Sequence, residues 1–269
     1  MSAEVFPATI LPDARPIDGW RRFAGEAALP AGFILICLVA LEILVRVLAV
    51  PEVLLPAPSR VLTALVLNAS VLAYHAALSM SQVLAALVIS LAIGLAIAVV
   101  FTLSRVINDM FAPLFVVLQI VPKVALAPIF VVWFGPGSLS HLGFAVCLSF
   151  FPILAGARAG FEETSADAVR LCRALRADRW QTLIHVKLPM ALPQLCVGAK
   201  VSTTLCIIGV VLGEFVSAKA GIGWYIMQAA ALAQTANIMA ALIVLSACGL
   251  LVYGLVAAGD IAVRRRMFG

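Results

Sequence analysis

Charged side chains are scarce in this chain. Asp, Glu, Lys and Arg supply 12% of its 269 residues, about half the share of an ordinary globular protein. Hydrophobic residues make up 64%, and the mean hydropathy is +1.14. Such a chain has lipid as its main solvent. Several chemistries are missing as well. No G-x-x-x-x-G-K-[ST] loop is present to hold nucleotide phosphates. The three histidines (75, 141 and 185) lie far apart and in no metal-ligand spacing. Glu162 and Glu163 are neighbours, so on a helix they point about 100° apart and make no acid–base pair. The six cysteines form no C-x-x-C pair, and five sit inside apolar runs, where a thiol is small apolar filler. No internal repeat is evident, which argues against a two-halved secondary carrier. The net charge of +5 does not indicate nucleic acid, because the basic residues cluster beside apolar runs instead of lining one polar helix face.

What the sequence does have is long hydrophobic runs. A helix crosses the hydrocarbon with about 20 residues, and six stretches qualify: 30–50, 76–104, 111–134, 139–160, 192–216 and 234–262. The first apolar run has no small-residue cleavage site and is expected to be a retained span behind a polar tail, 1–29, with a short surface helix near Trp20–Phe23. Residues 263–269 form a second tail. Glu42 and Arg46, four apart in the first span, form an expected ion pair. After Leu55-Pro56-Ala57-Pro58 a surface helix should begin near Ser59. Between the last two spans, Lys219 to Gln234 is too irregular for a straight crossing and reads as a re-entrant or interfacial piece. The tail carries Arg15, Arg21 and Arg22, the loop after the second span Arg105, and the C-terminus Arg264, Arg265 and Arg266. The opposite side has only Arg46, Arg60 and Lys219. This bias puts both termini in the cytoplasm.

One long polar stretch interrupts the apolar runs, at 162–193. Ten of the chain's charged side chains lie between Arg158 and Lys187. Thr164 with Asp167, and Asp178 with Gln181, each read as a capping box, so two short helices should meet at a corner near Arg176, Ala177 and Asp178. On the first helix Ala168, Leu171, Cys172 and Leu175 share an apolar face. A capped amphipathic corner between two spans is shaped to press on something outside the bilayer. The alternative is an ordinary solvated loop.

The third expected span holds Gln119, Pro122, Lys123 and Pro128. Two prolines six apart should kink it at mid-membrane, and the freed carbonyls then need neighbours or a watery cavity. Lys123 beside the kink costs about 2.5–3.5 kcal/mol on an insertion scale, so it either faces a pathway or pairs structurally. The same two readings apply to Lys200 and Glu214 in the fifth span. Gln119, Lys123, Lys200 and Glu214 are the candidates for a translocation path.

The corner resembles the signature loop of ABC-importer permeases, E-A-A, three residues, Gly, nine residues, Ile-x-Leu-Pro. Its end survives as Val186-Lys187-Leu188-Pro189, while Arg176 stands at the glycine and Arg170-Leu171-Cys172 at the E-A-A. If the corner needs a left-handed residue, Arg there costs about 1–2 kcal/mol. Further pieces occur in order: Leu55-Pro56-x-Pro58-Ser59, Gln119-x-x-Pro122-Lys123-x-Ala125, Trp133-Phe134-Gly135, Phe150-Phe151-Pro152, Leu188-Pro189-x-Ala191-x-Pro193, Glu214 and Gly221-Ile222-Gly223. Over residues 50–262 the chain is similar to the binding-protein-dependent permeases for nitrate, sulfonate, taurine, bicarbonate and thiamine-precursor import.

The resemblance implies an all-α polytopic fold of six transmembrane helices, the MetI-like architecture of type I ABC importers, with a coupling helix between spans 4 and 5 inside a coupling loop at 162–189. It implies a homodimer in the bacterial inner membrane, two ATP-binding subunits below and a periplasmic substrate-binding protein above. ATP and magnesium would be held by the partner ATPase, with no cofactor, metal or catalytic residue in this chain. Ala168, Leu171, Cys172, Leu175, Arg176 and Ala177 would engage the ATPase. The two lysines suit a small organic or inorganic anion as cargo; a neutral heterocycle, pyrimidine or vitamin precursor, is the alternative. A self-contained channel or carrier would need more paired intramembrane charges, and a membrane enzyme would need clustered His, Asp or Ser–His residues.

Overall fold

Proline and glycine set the first boundaries. The computed structural model describes the backbone of residues 19–268, and the side chains of that stretch except those of 19–28, 31, 105, 116, 119 and 266–268. Helix α1 runs Gly19–Val47, so it begins upstream of the expected boundary at 30. Helix α2 (Pro58–Leu67) opens with Pro58, whose fixed φ and missing N–H suit a first helical turn. Glu42 on α1 pairs with Arg46 as expected and also accepts from the Ser59 amide at 3.0 Å and the Ser59 hydroxyl at 2.7 Å, which ties α1 to the start of α2.

Helix α3 (Ala69–Leu103) is the second expected span, begun seven residues earlier. The third span departs from expectation. It is not one kinked helix but α4 (Arg105–Ile120), a 3-10 turn at Lys123–Leu126 and α5 (Ala127–Phe134). The reason is local. Val121, preceding Pro122, is pushed to an extended conformation (ψ 130°), and Pro128 falls in the first turn of a new helix. The prolines therefore end one helix and start another.

Helix α6 is Ser138–Glu162. The polar corner supplies α7 (Ala166–Ala174) and α8 (Arg179–Thr182), and a π turn at Leu183–Lys187 joins α8 to α9 (Leu188–Ser217). Pro189 explains the π turn: its ring would collide with the carbonyl of residue 185 in a regular helix, and one wider turn relieves the clash. Helix α10 (Ile222–Ala231) is the expected short piece before α11 (Thr235–Phe268).

Four helices among the described residues are long and apolar enough to cross a membrane: Ala69–Leu103, Ser138–Glu162, Arg179–Ser217 and Thr235–Arg265. The tightest seam joins α6 to α9. A Cβ on Gly198 would lie 2.4 Å from the Pro152 carbonyl oxygen, and one on Gly156 2.5 Å from that of Gln194. Small residues let two backbones meet in a medium where apolar side chains gain nothing by leaving solvent. Within this seam Ser202 donates to the Ser149 carbonyl at 2.5 Å, and the Ser90 and Ser149 hydroxyls share a 2.6 Å hydrogen bond that brings in α3. Apolar clusters continue the packing, Ala98, Ile153 and Leu183 at one end and Leu72, Ile222 and Ala240 at the other.

Candidate functional site

The polar corner is built from three local devices. Helix α7 is capped by Ser165, whose Oγ accepts from the Ala168 amide at 3.2 Å. This corrects the expected Thr164 cap by one residue: Ser165 holds the extended backbone a cap needs, while the Thr164 hydroxyl is buried without a hydrogen-bond partner among the described residues. The second expected box is present, Asp178 accepting from the Gln181 amide at 2.6 Å and the Gln181 side chain accepting from the Asp178 amide at 3.0 Å. Between them Arg176 takes the left-handed conformation at φ +58°. The Ala177 amide reaches the Cys172 carbonyl (2.9 Å) and the Arg176 amide the Arg173 carbonyl (3.0 Å). These two bonds are a Schellman ending, where glycine is the usual residue. The corner therefore forms as a family glycine would form it, at the cost of Arg's Cβ.

The apolar face divides on folding. Leu171 and Leu175 are 61% and 73% exposed, whereas Ala168, Cys172 and Ala177 are half-buried. Trp180 and Ile184 are exposed as well and extend the apolar surface past the corner. These two went unnoticed in the sequence because they lie beyond the bend, Trp180 on α8 and Ile184 in the π turn, outside the i, i+3, i+4 pattern of α7.

The four intramembrane polar candidates have separate surroundings. The Gln119 side chain lies outside the described residues; its backbone is near the end of α4. Lys123 is half-buried, with Nζ 4.0 Å from the centroid of the Phe151 ring, a cation–π geometry. Lys200 donates to Asp260 on α11 at 2.6 Å, and Arg264 donates to the other oxygen of the same carboxylate at 2.7 Å. Asp260 is only 5% exposed. Its i, i+4 spacing to Arg264 was readable; its pairing with Lys200 across 60 residues was not. Glu214 is 1% exposed and forms no ion pair among the described residues. It accepts from the Ser79 hydroxyl (2.7 Å) and from the Gly223 amide (2.8 Å), while His75 Nδ1 and Ser79 Oγ accept from the Gly221 and Ile222 amides. The carboxylate thus fastens α9, α3 and the first turn of α10 together. Gly221 must be glycine here: φ is +118°, and a Cβ would lie 2.3 Å from a Glu214 oxygen. The described residues contain no group of three or more His, Cys, Asp or Glu side chains placed to hold a metal.

The sequence that builds these apolar helices and their capped corner matches known proteins. Residues 89–267 match the family of binding-protein-dependent transport system inner membrane components. The chain belongs to that family. It is an ABC transporter permease, a multi-pass membrane protein and not an enzyme. A probable ABC transporter permease protein of Haemophilus influenzae is 30% identical over 76% of this permease and 83% of its own length. The formylaminopyrimidine transport permease protein ThiX of Halalkalibacterium halodurans is 28% identical over 84% of this permease and 90% of its own length. The taurine transport system permease protein TauC of Escherichia coli is 27% identical over 71% and 72%.

Proposed function

We propose that this permease forms the translocation path of a bacterial ABC importer as a homodimer, driven by two separate ATP-binding subunits and fed by a periplasmic binding protein. In this reading α1 and the broken α4–α5 segment complete six crossings with both termini in the cytoplasm. The observation that carries it is the capped corner presenting Leu171 and Leu175 to solvent between two helices long and apolar enough to cross a membrane. These leucines bury little within the chain, so they are the groups available to a cleft on the ATPase. Closure of the ATPase pair would move the corner, and α9, locked to α6 through its glycines, would carry the motion outward as a rigid body. The double change Leu171→Asp plus Leu175→Asp is expected to abolish ATP-driven uptake in proteoliposomes while leaving membrane insertion intact. Uptake that survives with the ATPase still bound overturns the docking role. Uptake by the purified permease alone, without ATP, would instead indicate a self-contained carrier.

On cargo, the anion expectation leaned on Lys123 and Lys200. Lys200 is held by Asp260, a carboxylate it shares with Arg264, and Lys123 lies against an aromatic face. Together with the long alignment to a formylaminopyrimidine permease, this favours a small planar heterocycle over a sulfonate. Competition for uptake by the reconstituted importer, formylaminopyrimidine against taurine, decides between the two.

A further inference from the structure

The face of α7 opposite its exposed leucines borders a cleft. Val169 and Arg173, four apart, share that face, while Leu171 and Leu175 lie on the other side. The cleft has a volume of about 1080 Å³ and is floored by Thr102, Leu103 and Ser104, where α3 ends. A second hollow of about 350 Å³ continues from it, the two sharing Thr102, Val169 and Lys187. Arg173, Arg179 and Lys187 line the larger space, Arg179 also donating to the Leu103 carbonyl at 3.3 Å. Among the described residues no carboxylate forms an ion pair with any of them. Asp178 borders the space but is engaged in capping α8, and Glu162, in the smaller hollow, pairs with Arg158. Lys187 is half-buried, at the end of the π turn, whose extra residue rotates it from where a regular helix would place it. Thr164, whose buried hydroxyl has no hydrogen-bond partner among the described residues, lines the smaller hollow. At the rim Val106, the first described side chain of α4, is 69% exposed.

Three clustered cations, one of them half-buried, repel one another unless an anion lies between them. The place is where α3 ends and α4 begins, the end of one apolar helix long enough to cross a membrane, with Val106 beside the hydroxyls of Thr102 and Ser104. We propose that this cleft binds the phosphate headgroup of an anionic phospholipid, its acyl chains passing along Val106 into the membrane. Basic hollows between helices at the membrane surface hold such headgroups. The site lies behind the corner, so a bound lipid would brace α7 against α3 and α4 without occupying the leucine face. The inference depends on the chain crossing a membrane and not on the docking of any ATPase.

The test uses the full chain in nanodiscs of dioleoylphosphatidylcholine, alone or mixed with dioleoylphosphatidylglycerol. Lipids retained after transfer to detergent are counted by native mass spectrometry. Phosphatidylglycerol should be retained in preference to phosphatidylcholine and should not be displaced by inorganic phosphate. Lys187→Gln or Arg173→Gln should each weaken its retention about fivefold, the equivalent of roughly 1 kcal/mol per basic side chain near an anionic surface. Arg173 is exposed, so its variant keeps the test open even if Lys187→Gln fails to fold. Equal retention of the two lipids, or unchanged retention in the Arg173 variant, overturns the proposal. Displacement by inorganic phosphate assigns the cleft to a free anion and overturns the lipid.

Discussion

Arg176 carries a left-handed backbone that only glycine adopts without penalty, yet both hydrogen bonds of the helix ending are in place around it. Its side chain therefore opposes the fold. Arg176→Gly is expected to stabilise the corner by about 1 kcal/mol, the lower end of the left-handed penalty, and amide exchange across 171–178 should slow about fivefold. Glu214 poses the converse case, a buried carboxylate whose partners are hydroxyl and amide donors. In Glu214→Gln the amide oxygen can keep the Gly223 bond. The amide nitrogen can donate to Ser79, whose hydroxyl already lies 3.2 Å from the His75 carbonyl and can turn to it. That variant should melt close to the parent. Glu214→Ala strands the buried Gly223 amide at a cost of about 1–3 kcal/mol, and a lowered melting temperature of the solubilised chain checks it. If Gln proves as damaging as Ala, the negative charge itself matters and the hydrogen-bonding account fails.

Among the elements, α9 binds the molecule together. It meets α6 along the glycine seam, α11 through Lys200 and Asp260, and α3 and α10 through Glu214. The ion pair is tested by removing one partner. Asp260→Ala leaves Lys200 partly buried and unpaired, with an expected loss toward the lower part of the 3–5 kcal/mol typical of broken buried pairs, about 3 kcal/mol. Adding Lys200→Met to Asp260→Leu should recover most of the melting temperature, because two packed apolar chains replace the buried carboxylate and its partly buried lysine, while Arg264, about half exposed, turns to solvent. A double variant as unstable as Asp260→Ala would mean that Lys200 has a further role, such as lining the path. The broken third span is the element on which pattern reading went astray. Hydropathy follows apolar content over 111–134 without interruption, but Pro122 disfavours the helical conformation at Val121, which is extended here.

At the scale of the whole molecule, much of the apolar surface stays exposed. On α1 Phe33 and Ile36 point outward, and on α4 and α5 so do Met110, Ile120 and Val132. Lipid and a second copy are the covers the proposed homodimer provides. The paired aspartate changes at Leu171 and Leu175 belong to this scale, since they alter what the chain touches and not how it folds. Both positions are open to solvent, so the solubilised permease should melt unchanged, and only ATP-driven uptake should fall.

The sequence by itself determined whatever depends on near neighbours. The long apolar runs set the membrane class, Pro58 opened α2, Asp178 with Gln181 capped the corner's second half, and the Leu-Pro and glycine pieces carried the family. The Ser165 cap was missed by a single residue, within reach of the same reasoning. Tertiary structure alone decided the partners: Lys200 with Asp260 across 60 residues, Glu214 with Ser79 across 135, and the His75 ring with the Gly221 amide across 146. The reason is physical. A cap or a proline acts through bonds a few residues long, whereas a buried charge takes whichever partner the packing of distant helices brings to it, and that packing here follows from glycines whose meaning appears only when two backbones touch.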